Sequence, residues 1–343
     1  MSYRITWIEA ERSFDATPDE TVLDAARRAG VVLPSECEFG GCGTCRVKLA
    51  QGQVSYEDLP DALSPAEAEA GYALLCQARA CSDLAISTER VLEAPTAPRR
   101  REARVVHVEA LAPDVTRLVL AFNDGEPWVF RPGQYLNILP GDTGPRSFSM
   151  ASSLPADDAR GEIELHIRQI DGGHFTQTRL AKLRPGDKLD IDAPLGGFGY
   201  HEEDYRPIVM VATGTGIAPL RSMLMQMLAS GDTPPIDLYW GGRTLASLYL
   251  HDELTALASQ HADFRYVPVL SRAHDEWDGA RGYVQDAVLS DHPDLGEHAV
   301  YLCGSPAMIS DAKQAFVANG ASVRYLYADS FTFQHPVPVD AAA

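Results

Sequence analysis

The chain has 343 residues, of which 45% are apolar, and this length indicates two or three domains with a core in each. A formal net charge of −19 argues against a nucleic-acid partner, because phosphate binding needs clustered lysine and arginine. No segment approaches the roughly 18 apolar residues of a membrane span, and no signal-peptide pattern begins the chain, so we expect a cytoplasmic protein without a membrane.

The first predicted domain, residues 1–93, has a compact α+β pattern. An apolar alternation at residues 3–8 predicts a strand, and TPDETVLDAARRAG predicts a capped helix that ends at Gly30. A second helical stretch, AEAEAGYALL, precedes Cys76. The segment EAPTAPRRRE then predicts a stiff, solvated linker at residues 94–101.

Two further domains follow, and their patterns of apolar residues differ. Residues 102–204 predict an antiparallel β-barrel, because alternating apolar runs are separated by Pro and Gly turns. Residues 205–333 predict an α/β domain with a parallel sheet, because buried runs such as IVMVA and HAVYLCG alternate with helical stretches. A tail at 334–343 completes the chain. The alternating runs of the barrel lie at 104–122, 134–139 and 162–169.

Residues 37–45 read CEFGGCGTC and carry the most specific signal. The spacing C-x4-C-x2-C, followed by another cysteine after thirty intervening residues, is the ligand pattern of a plant-type 2Fe-2S ferredoxin. Glycines in the loop allow backbone NH groups to face the sulfur atoms without a Cβ in the way. The predicted iron ligands are Cys37, Cys42, Cys45 and Cys76.

Other uses of these thiols stay open at this point. A zinc site with four cysteines usually contains two short C-x2-C pairs, whereas here only Cys42 and Cys45 form one. Buried thiols without metal are the remaining alternative. Cys81 also lies near enough to Cys76 to compete as fourth ligand, and we choose Cys76 because LLCQAR resembles the fourth-ligand segment of ferredoxin domains.

A one-electron cluster cannot accept a hydride, so a nicotinamide donor would require a flavin between them. The segment RSFSM at residues 146–150 resembles the R-x-Y/F-S motif of the ferredoxin-NADP reductase superfamily. The resemblance implies that Arg146 neutralises the flavin phosphate groups and that Ser149 hydrogen-bonds the N5 edge. Phe148 would pack beside the ribityl chain.

The next segment, LHIRQIDGGHFT, matches the strand and Gly-Gly-x-x-Ser/Thr turn of the same superfamily. Either motif alone could be a surface hairpin, but the two occur at the expected separation. The resemblance gives flavin contacts to His166, Ile167, Arg168, Gly172, Gly173 and Thr176.

The third domain opens with IVMVATGTGIAPL, a buried strand that runs into a glycine turn and a helix, where NH groups and the helix dipole favour a pyrophosphate. The turn lacks the lysine of a P-loop and the full G-x-G-x-x-G fingerprint. It resembles the dinucleotide motif of the same reductases. This implies that Thr215 lies near the nicotinamide, in a turn formed by Gly214, Thr215, Gly216 and Pro219.

Two later segments also resemble these reductases. YLCGSPAMI matches the C-G-x-P motif and places Cys303 at the hydride-transfer face, although Cys303 could instead be a buried strand thiol. ADSFTF resembles the acid-x-aromatic end, with Asp329 as the acid and Phe331 or Phe333 as the ring over the flavin. The further cofactor contacts are Gly304, Pro306 and Met308, and the residues with catalytic roles are Ser149, Thr215, Cys303 and Asp329.

The order ferredoxin, flavin, nicotinamide resembles the single-chain reductase components of multicomponent oxygenases. The resemblance implies a monomer with a 2Fe-2S cluster and FAD that passes electrons transiently to a terminal oxygenase. An N-terminal ferredoxin favours FAD over FMN. NADH is the expected donor, with NADPH possible because Ser271 and Arg272, with Arg281 and Tyr283, could hold a 2′-phosphate.

Alternative functions are the reductase of a deoxysugar-forming dehydrase, which shares the layout, a free flavin reductase, and a non-enzymatic redox carrier or sensor. The last would need an output domain, and none is visible in the sequence. The acidic residues Glu36, Glu38, Glu57 and Asp58 either dock the partner or form a solvated surface.

Overall fold

A computed structural model describes residues 2–35, 38–88, 98–122, 129–139, 144–153, 161–170, 172–173 and 175–331. Several predictions from the sequence fall outside these ranges, namely those for Glu36, Cys37, Phe333 and the tail 334–343. No helix in the described ranges has the length and apolar character needed to cross a membrane.

The N-terminal domain is a β-grasp fold. Its described five-stranded sheet has the order β2-β1-β7-β3-β5, in which β1 and β7 are parallel and the other pairs antiparallel. Helix α1 begins where the Thr21 hydroxyl accepts a hydrogen bond from the Asp24 backbone NH. The elements are β1 Tyr3–Trp7, β2 Arg12–Ala16, α1 Val22–Arg28, β3 Arg46–Gln51, β4 Val54–Ser55, α2 Pro65–Glu69, β5 Tyr72–Leu74, β6 Arg79–Ala80 and β7 Leu84–Ser87.

The predicted helix AEAEAGYALL is only half correct. Helix α2 has a capping box at Ser64 and ends at Glu69, and Gly71 follows with a φ of +83°. Tyr72–Leu74 is strand β5, because these residues pair antiparallel with β3. The strand delivers the chain directly to Cys76, which lies two residues beyond it.

The second domain is an antiparallel barrel with the strand order β11-β10-β13-β8-β9-β12. A bridge between Met150 and Leu165 joins the two edges. The predicted run 104–122 is a hairpin of two strands, and the first of them begins at Arg99, inside the predicted linker, where it pairs with β13. The strands are β8 Arg99–Ala112, β9 Val115–Phe122, β10 Tyr135–Leu139, β11 Arg146–Ser149, β12 Glu162–Arg168 and β13 Lys188–Leu195.

The third domain has an all-parallel described sheet with the order β17-β16-β15-β14-β18-β19. Strands β14 and β18 are central and fully buried apart from Thr213, which explains their unbroken apolar runs. The elements are β14 Ile208–Thr213, α3 Ile217–Ser230, β15 Ile236–Gly242, α4 His251–Gln260, β16 Phe264–Leu270, β17 Ala280–Arg281, α5 Val284–Asp291, β18 Ala299–Gly304, α6 Pro306–Ala318 and β19 Leu326–Ser330.

Helix α3 fastens the barrel to the third domain. The Ser222 hydroxyl donates to the Ser152 carbonyl oxygen at 2.6 Å, and the Arg221 guanidinium donates to the Ala151 carbonyl oxygen at 2.9 Å. Arg221 also forms an ion pair with Glu253 at 2.7 Å. Ser222 is fully buried, so the segment that follows β11 is held in place beside the third domain.

Candidate functional site: a cysteine loop and two nucleotide-binding motifs

Three cysteine side chains converge beneath the loop of the first domain. Cys42, Cys45 and Cys76 are 2 to 4% exposed, and the Cys45 and Cys76 thiols form a hydrogen bond. This hydrogen bond and burial raise the pKa of Cys45, so a bound metal would have to displace its proton. The structure therefore brings together three of the four predicted iron ligands, while Cys37 lies outside the described residues.

Backbone NH groups of the loop point at the sulfur atoms. The Thr44 NH donates to Cys42 Sγ at 3.5 Å, and the Gly40 NH donates to Cys76. The hydrogen bond with Cys45 lowers the pKa of the Cys76 thiol, and the Gly40 NH adds to this effect. Gly40 and Gly43 have φ values of +83° and +81°, which side chains rarely adopt. Inward NH groups of this kind stabilise the negative charge on metal-bound thiolates, as an iron–sulfur cluster requires.

The competing ligand Cys81 lies elsewhere. Its side chain is exposed, and its sulfur contacts the Arg79 carbonyl oxygen at 3.9 Å. Among the described residues no group of three or more His, Cys, Asp or Glu side chains is arranged to hold a metal ion, and Cys37 lies outside those residues. The buried thiols of Cys42, Cys45 and Cys76, with the NH donors of Gly40 and Thr44, have the donor chemistry of an iron–sulfur site.

Tyr56 is a neighbour of the thiols that the sequence does not reveal. Its hydroxyl accepts a hydrogen bond from the Leu74 NH at 3.0 Å. Burial raises the pKa of Tyr56 to about 12, and Cys45 and Cys76 add to the rise. A phenol that stays neutral can lie beside a negatively charged cluster without repulsion.

Strand β11 presents the first flavin motif at the end of the barrel. Ser149 is 7% exposed and pairs with Tyr135 on β10, whereas Phe148 packs on the barrel core with its ring 5.7 Å from that of Phe175. The Arg146 guanidinium lies beside its own turn and donates to the carbonyl oxygens of Gly144 and Pro145. Arg146 and Ser149 therefore occupy opposite ends of one short strand.

The second flavin motif divides into residues of different exposure. Gly172 has a φ of +76°, and a Cβ on Gly173 would lie 2.5 Å from the Thr176 hydroxyl, so this turn requires glycine. The Arg168 guanidinium pairs with Asp114 at 2.7 Å. Within the same strand, Ile167 is fully buried in the barrel core.

His166 belongs to a buried network between the barrel and the third domain. Its Nε2 atom lies 2.7 Å from the Glu164 carboxylate, and its Nδ1 atom lies 3.2 Å from the Tyr249 hydroxyl. Burial lowers the pKa of His166 against the opposing effect of Glu164. His166 therefore contacts Tyr249 of the third domain as well as Glu164 of its own barrel. The sequence motif does not reveal this role, because it indicates only that His166 lies near the flavin turn.

The glycine turn after β14 lies between the neighbouring strand β15 and the barrel domain. The Trp240 indole NH donates to the Gly214 carbonyl oxygen at 3.0 Å, and a Cβ on Gly214 would lie 3.0 Å from the Arg168 guanidinium. Thr215 is half-buried at the centre of the turn, and Pro219 is buried in the first turn of α3. A dinucleotide phosphate bound at this turn would meet the Arg168 cation.

The G-T-G and C-G-S-P segments interlock. A Cβ on Gly216 would lie 2.2 Å from the Cys303 carbonyl oxygen, and a Cβ on Gly304 would lie 2.3 Å from the Thr213 hydroxyl. Strands β14 and β18 thus touch through backbone at their carboxyl ends. The Ser305 hydroxyl caps α6 by accepting from the Met308 NH, with Pro306 in the first helical turn.

The C-terminal acid meets the predicted hydride-transfer cysteine. Asp329 is buried, and its carboxylate lies 3.9 Å from the Cys303 sulfur. Burial raises the pKa of Asp329 to about 7, and repulsion from Cys42 of the first domain adds to the rise. The Phe331 NH donates to the Gly304 carbonyl oxygen at 2.9 Å, which fixes this end of the chain beside the same motif.

Of the four residues proposed to hold a 2′-phosphate, Arg281 is occupied by hydrogen bonds to the protein backbone. Ser271, Arg272 and Tyr283 are exposed at the carboxyl ends of β16 and β17. The Arg281 guanidinium instead donates to the carbonyl oxygens of three residues in the preceding loop, His274, Asp275 and Trp277. The Arg281 guanidinium therefore stabilises the loop, which leaves Arg272 as the cation of this set that a 2′-phosphate could reach.

Of the acidic residues considered for partner docking, two that the structure describes form ion pairs. Glu38 forms an ion pair with Arg27, and Glu57 forms one with Arg79 at 3.2 Å. Asp58 is exposed beside them.

A cavity of about 480 Å³ lies where the three domains meet. Cys42 and Arg27 line it from the first domain, Tyr135 and Phe198 from the barrel, and Tyr327 from the third domain. Ser149 and Cys303 are not among its lining residues. The cavity is therefore bordered by the cysteine loop and not by these two predicted catalytic residues.

Three protein-family descriptions match consecutive parts of the chain. Residues 5–81 match a 2Fe-2S iron-sulfur cluster binding domain, residues 102–200 an oxidoreductase FAD-binding domain, and residues 210–314 an oxidoreductase NAD-binding domain. These matches confirm the predicted cofactors and the predicted β-grasp, β-barrel and parallel-sheet fold classes.

Known proteins are similar over nearly the whole chain. The phenol hydroxylase P5 protein of Acinetobacter pittii is 34% identical over 340 residues, covering 96% of this chain and 95% of the relative. The reductase subunit of an aromatic O-demethylase from an Amycolatopsis strain is 36% identical over 330 residues, covering 94% and 96%. The crystal structure of the Amycolatopsis cytochrome P450 reductase GcoB has a TM-score of 0.72 and 33% identity, covering 96% and 98%.

The cysteine loop, the flavin strand and the interlocked glycine motifs thus occur in one chain, each within the family description that matches it. The chain belongs to the family of FAD- and 2Fe-2S-dependent NAD(P)H oxidoreductases that are reductase components of oxygenases.

Proposed function

We propose that the protein takes a hydride from NADH and delivers single electrons to a separate terminal oxygenase, with which it associates transiently. The observation that carries the proposal is the meeting of the cysteine loop with the nicotinamide domain. The Thr44 hydroxyl of the loop donates to the Ala328 carbonyl oxygen at 3.0 Å, and the carboxylate of the next residue, Asp329, lies 3.9 Å from the Cys303 sulfur, so the predicted cluster ligands and the predicted hydride-transfer cysteine lie in one region.

The residues of the chain would bind and orient the two cofactors. Arg146 would supply a cation for the flavin phosphate groups at one end of β11, and Ser149 would supply a hydroxyl at the other end. Arg168, which is paired with Asp114, lies beside the glycine turn of the nicotinamide domain. Bound FAD supplies the change from a two-electron hydride to single electrons. Thr215 and Cys303 border the place where a nicotinamide ring would lie.

The four cysteines Cys37, Cys42, Cys45 and Cys76 would hold the 2Fe-2S cluster. Burial of Cys42, Cys45 and Cys76 keeps water from the sulfur atoms, and the NH groups of Gly40 and Thr44 stabilise their negative charge. Domain limits at 1–93, 102–204 and 205–333 are part of this proposal, as is a monomeric, cytoplasmic protein.

NADH is proposed as the preferred donor. A bound 2′-phosphate needs several charge-assisted hydrogen bonds, and Arg281 is already committed to three carbonyl oxygens. The comparison of kcat/KM for NADH with that for NADPH tests this choice. A larger kcat/KM for NADPH would contradict it.

The proposed order of electron transfer is tested with two cysteine variants. Cys76→Ser should lose the low-temperature EPR signal of the reduced cluster and the NADH-dependent reduction of cytochrome c, while NADH-dependent reduction of ferricyanide persists. Cys81→Ser is the matched control, because this thiol is exposed whereas those of Cys42, Cys45 and Cys76 are buried, and it should retain the EPR signal and both reductase activities. Undiminished cytochrome c reduction by Cys76→Ser would refute the proposed order.

The terminal oxygenase is tested with the partner itself. Substrate turnover by a candidate oxygenase should require this protein, NADH and the intact cysteine loop together. Turnover that proceeds equally well with Cys76→Ser would show that the partner does not receive electrons through the cluster.

A further inference from the structure

Lys313 of the nicotinamide domain reaches the cysteine loop of the ferredoxin domain. It lies on α6, and its Nζ atom donates to the Cys42 carbonyl oxygen at 2.5 Å, across 271 positions of sequence. Lys313 is also the sole lysine that the sequence has between residues 205 and 343. A cation from one domain therefore touches the backbone of a predicted iron ligand in another.

The loop has room for this ammonium group because residue 43 is glycine. A Cβ on Gly43 would lie 2.6 Å from Lys313 Nζ, closer than real Cβ atoms come to their neighbours. Gly43 also has a φ of +81°. The backbone shape that turns the loop around the sulfur atoms thus also admits the side chain of the other domain.

Two more hydrogen bonds hold the loop in the same position. The Thr44 hydroxyl donates to the Ala328 carbonyl oxygen at 3.0 Å, and the Arg46 guanidinium donates to the Val323 carbonyl oxygen at 3.1 Å. Arg46 is at the same time ion-paired with Glu67 of its own domain at 2.9 Å. The contact of Lys313 with the loop is therefore one part of a defined interface.

We propose that Lys313 is a positioning residue that raises the reduction potential of the cluster while the two domains are docked. The inference rests on the proposed function, because it requires a cluster held by the cysteine loop. Reduction adds one negative charge to the cluster, and a nearby cation favours the more negative state. Cys42 is only 2% exposed, so water screens this attraction weakly.

The location of Lys313 ties this effect to the docked arrangement. Because Lys313 and Cys42 belong to different domains, the attraction exists only where α6 lies against the loop. The docked cluster would therefore accept an electron more readily than the same cluster with the loop separated from α6.

The test is an EPR-monitored redox titration of the full-length holoprotein with Lys313 changed. Lys313→Gln should decrease the equilibrium ratio of reduced cluster to reduced flavin about tenfold, which corresponds to about 59 mV for a one-electron couple. Lys313→Arg keeps the charge and should stay near the original ratio. Lys188→Gln is the control, since Lys188 pairs with Glu102 on the barrel surface.

Iron content and the rate of flavin reduction by NADH should be unchanged in all of these variants. A cluster potential in Lys313→Gln equal to that of the unchanged protein would overturn the inference. Lys313→Met provides a second variant without charge. Loss of iron from both would also overturn it, because Lys313 would then serve assembly of the loop. Absence of a cluster signal in the unchanged protein would instead refute the proposed function.

Discussion

Gly216→Ala should separate the two interlocked motifs of the nicotinamide domain. The new Cβ would lie 2.2 Å from the Cys303 carbonyl oxygen and 2.6 Å from its carbonyl carbon, and both are backbone atoms. Since neither strand end has a flexible side chain that could give way, the turn must move by about 1 Å, and a displacement of that size can reduce a rate about 100-fold.

Stopped-flow measurement of flavin reduction by NADH under anaerobic conditions tests this prediction. Gly231→Ala is the matched control at the other end of α3, where an added Cβ meets no atom within 4 Å. The control should lower stability by about 1 kcal/mol, because residue 231 has a positive φ, and should leave flavin reduction unchanged. Flavin reduction by Gly216→Ala at the original rate would refute the argument that these backbones must touch.

Three further changes address the domain contact, the response to pH and the choice of nicotinamide. Ser222→Ala should lower the free energy of unfolding by about 1–3 kcal/mol in chemical denaturation, because the Ser152 carbonyl oxygen loses its buried donor, whereas Ser230→Ala on the same helix should have little effect. Burial lowers the pKa of His298, so the unfolded chain binds the proton more readily and stability should fall as the pH drops below about 6.5. In thermal melts, His298→Asn should reduce this loss of stability at low pH, and His274→Asn at an exposed position should not. The same pH dependence of stability in His298→Asn as in the unchanged protein would contradict the assignment of the effect to His298. Arg272→Ala should decrease kcat/KM for NADPH about tenfold, the effect of one hydrogen bond to a charged group, and leave that for NADH unchanged; an equal decrease for both would argue against a 2′-phosphate contact.

The motifs with fixed spacing could be predicted from the sequence, because their chemistry is local. The cysteine loop and the G-T-G turn each need glycine for backbone reasons that a few neighbouring residues determine. The fold classes followed from apolar periodicity in the same way. Strand β5 was predicted as helix because its partner β3 lies about 25 residues earlier, and strand pairing outweighed local helix propensity.

Residues that act across long sequence separations could not be predicted. Tyr56 reaches the thiols through the fold of its own domain, and Trp240 supports the Gly214 turn from the neighbouring strand. Both have side chains that are common in cores, so their types alone carry no functional signal. Even the matched motif around His166 does not reveal that this side chain lies in a network with Tyr249 of another domain.

The contact between Gly43 and Lys313 bears on the exchange of modules between related reductases. A chimera that attached a foreign ferredoxin module to these flavin and nicotinamide domains would keep the present position of Lys313 only with glycine at residue 43, since a Cβ there would lie 2.6 Å from Lys313 Nζ and the lysine side chain would have to shift. The fit between the two parts thus involves this position together with the hydrogen bonds of Thr44 and Arg46 to Ala328 and Val323.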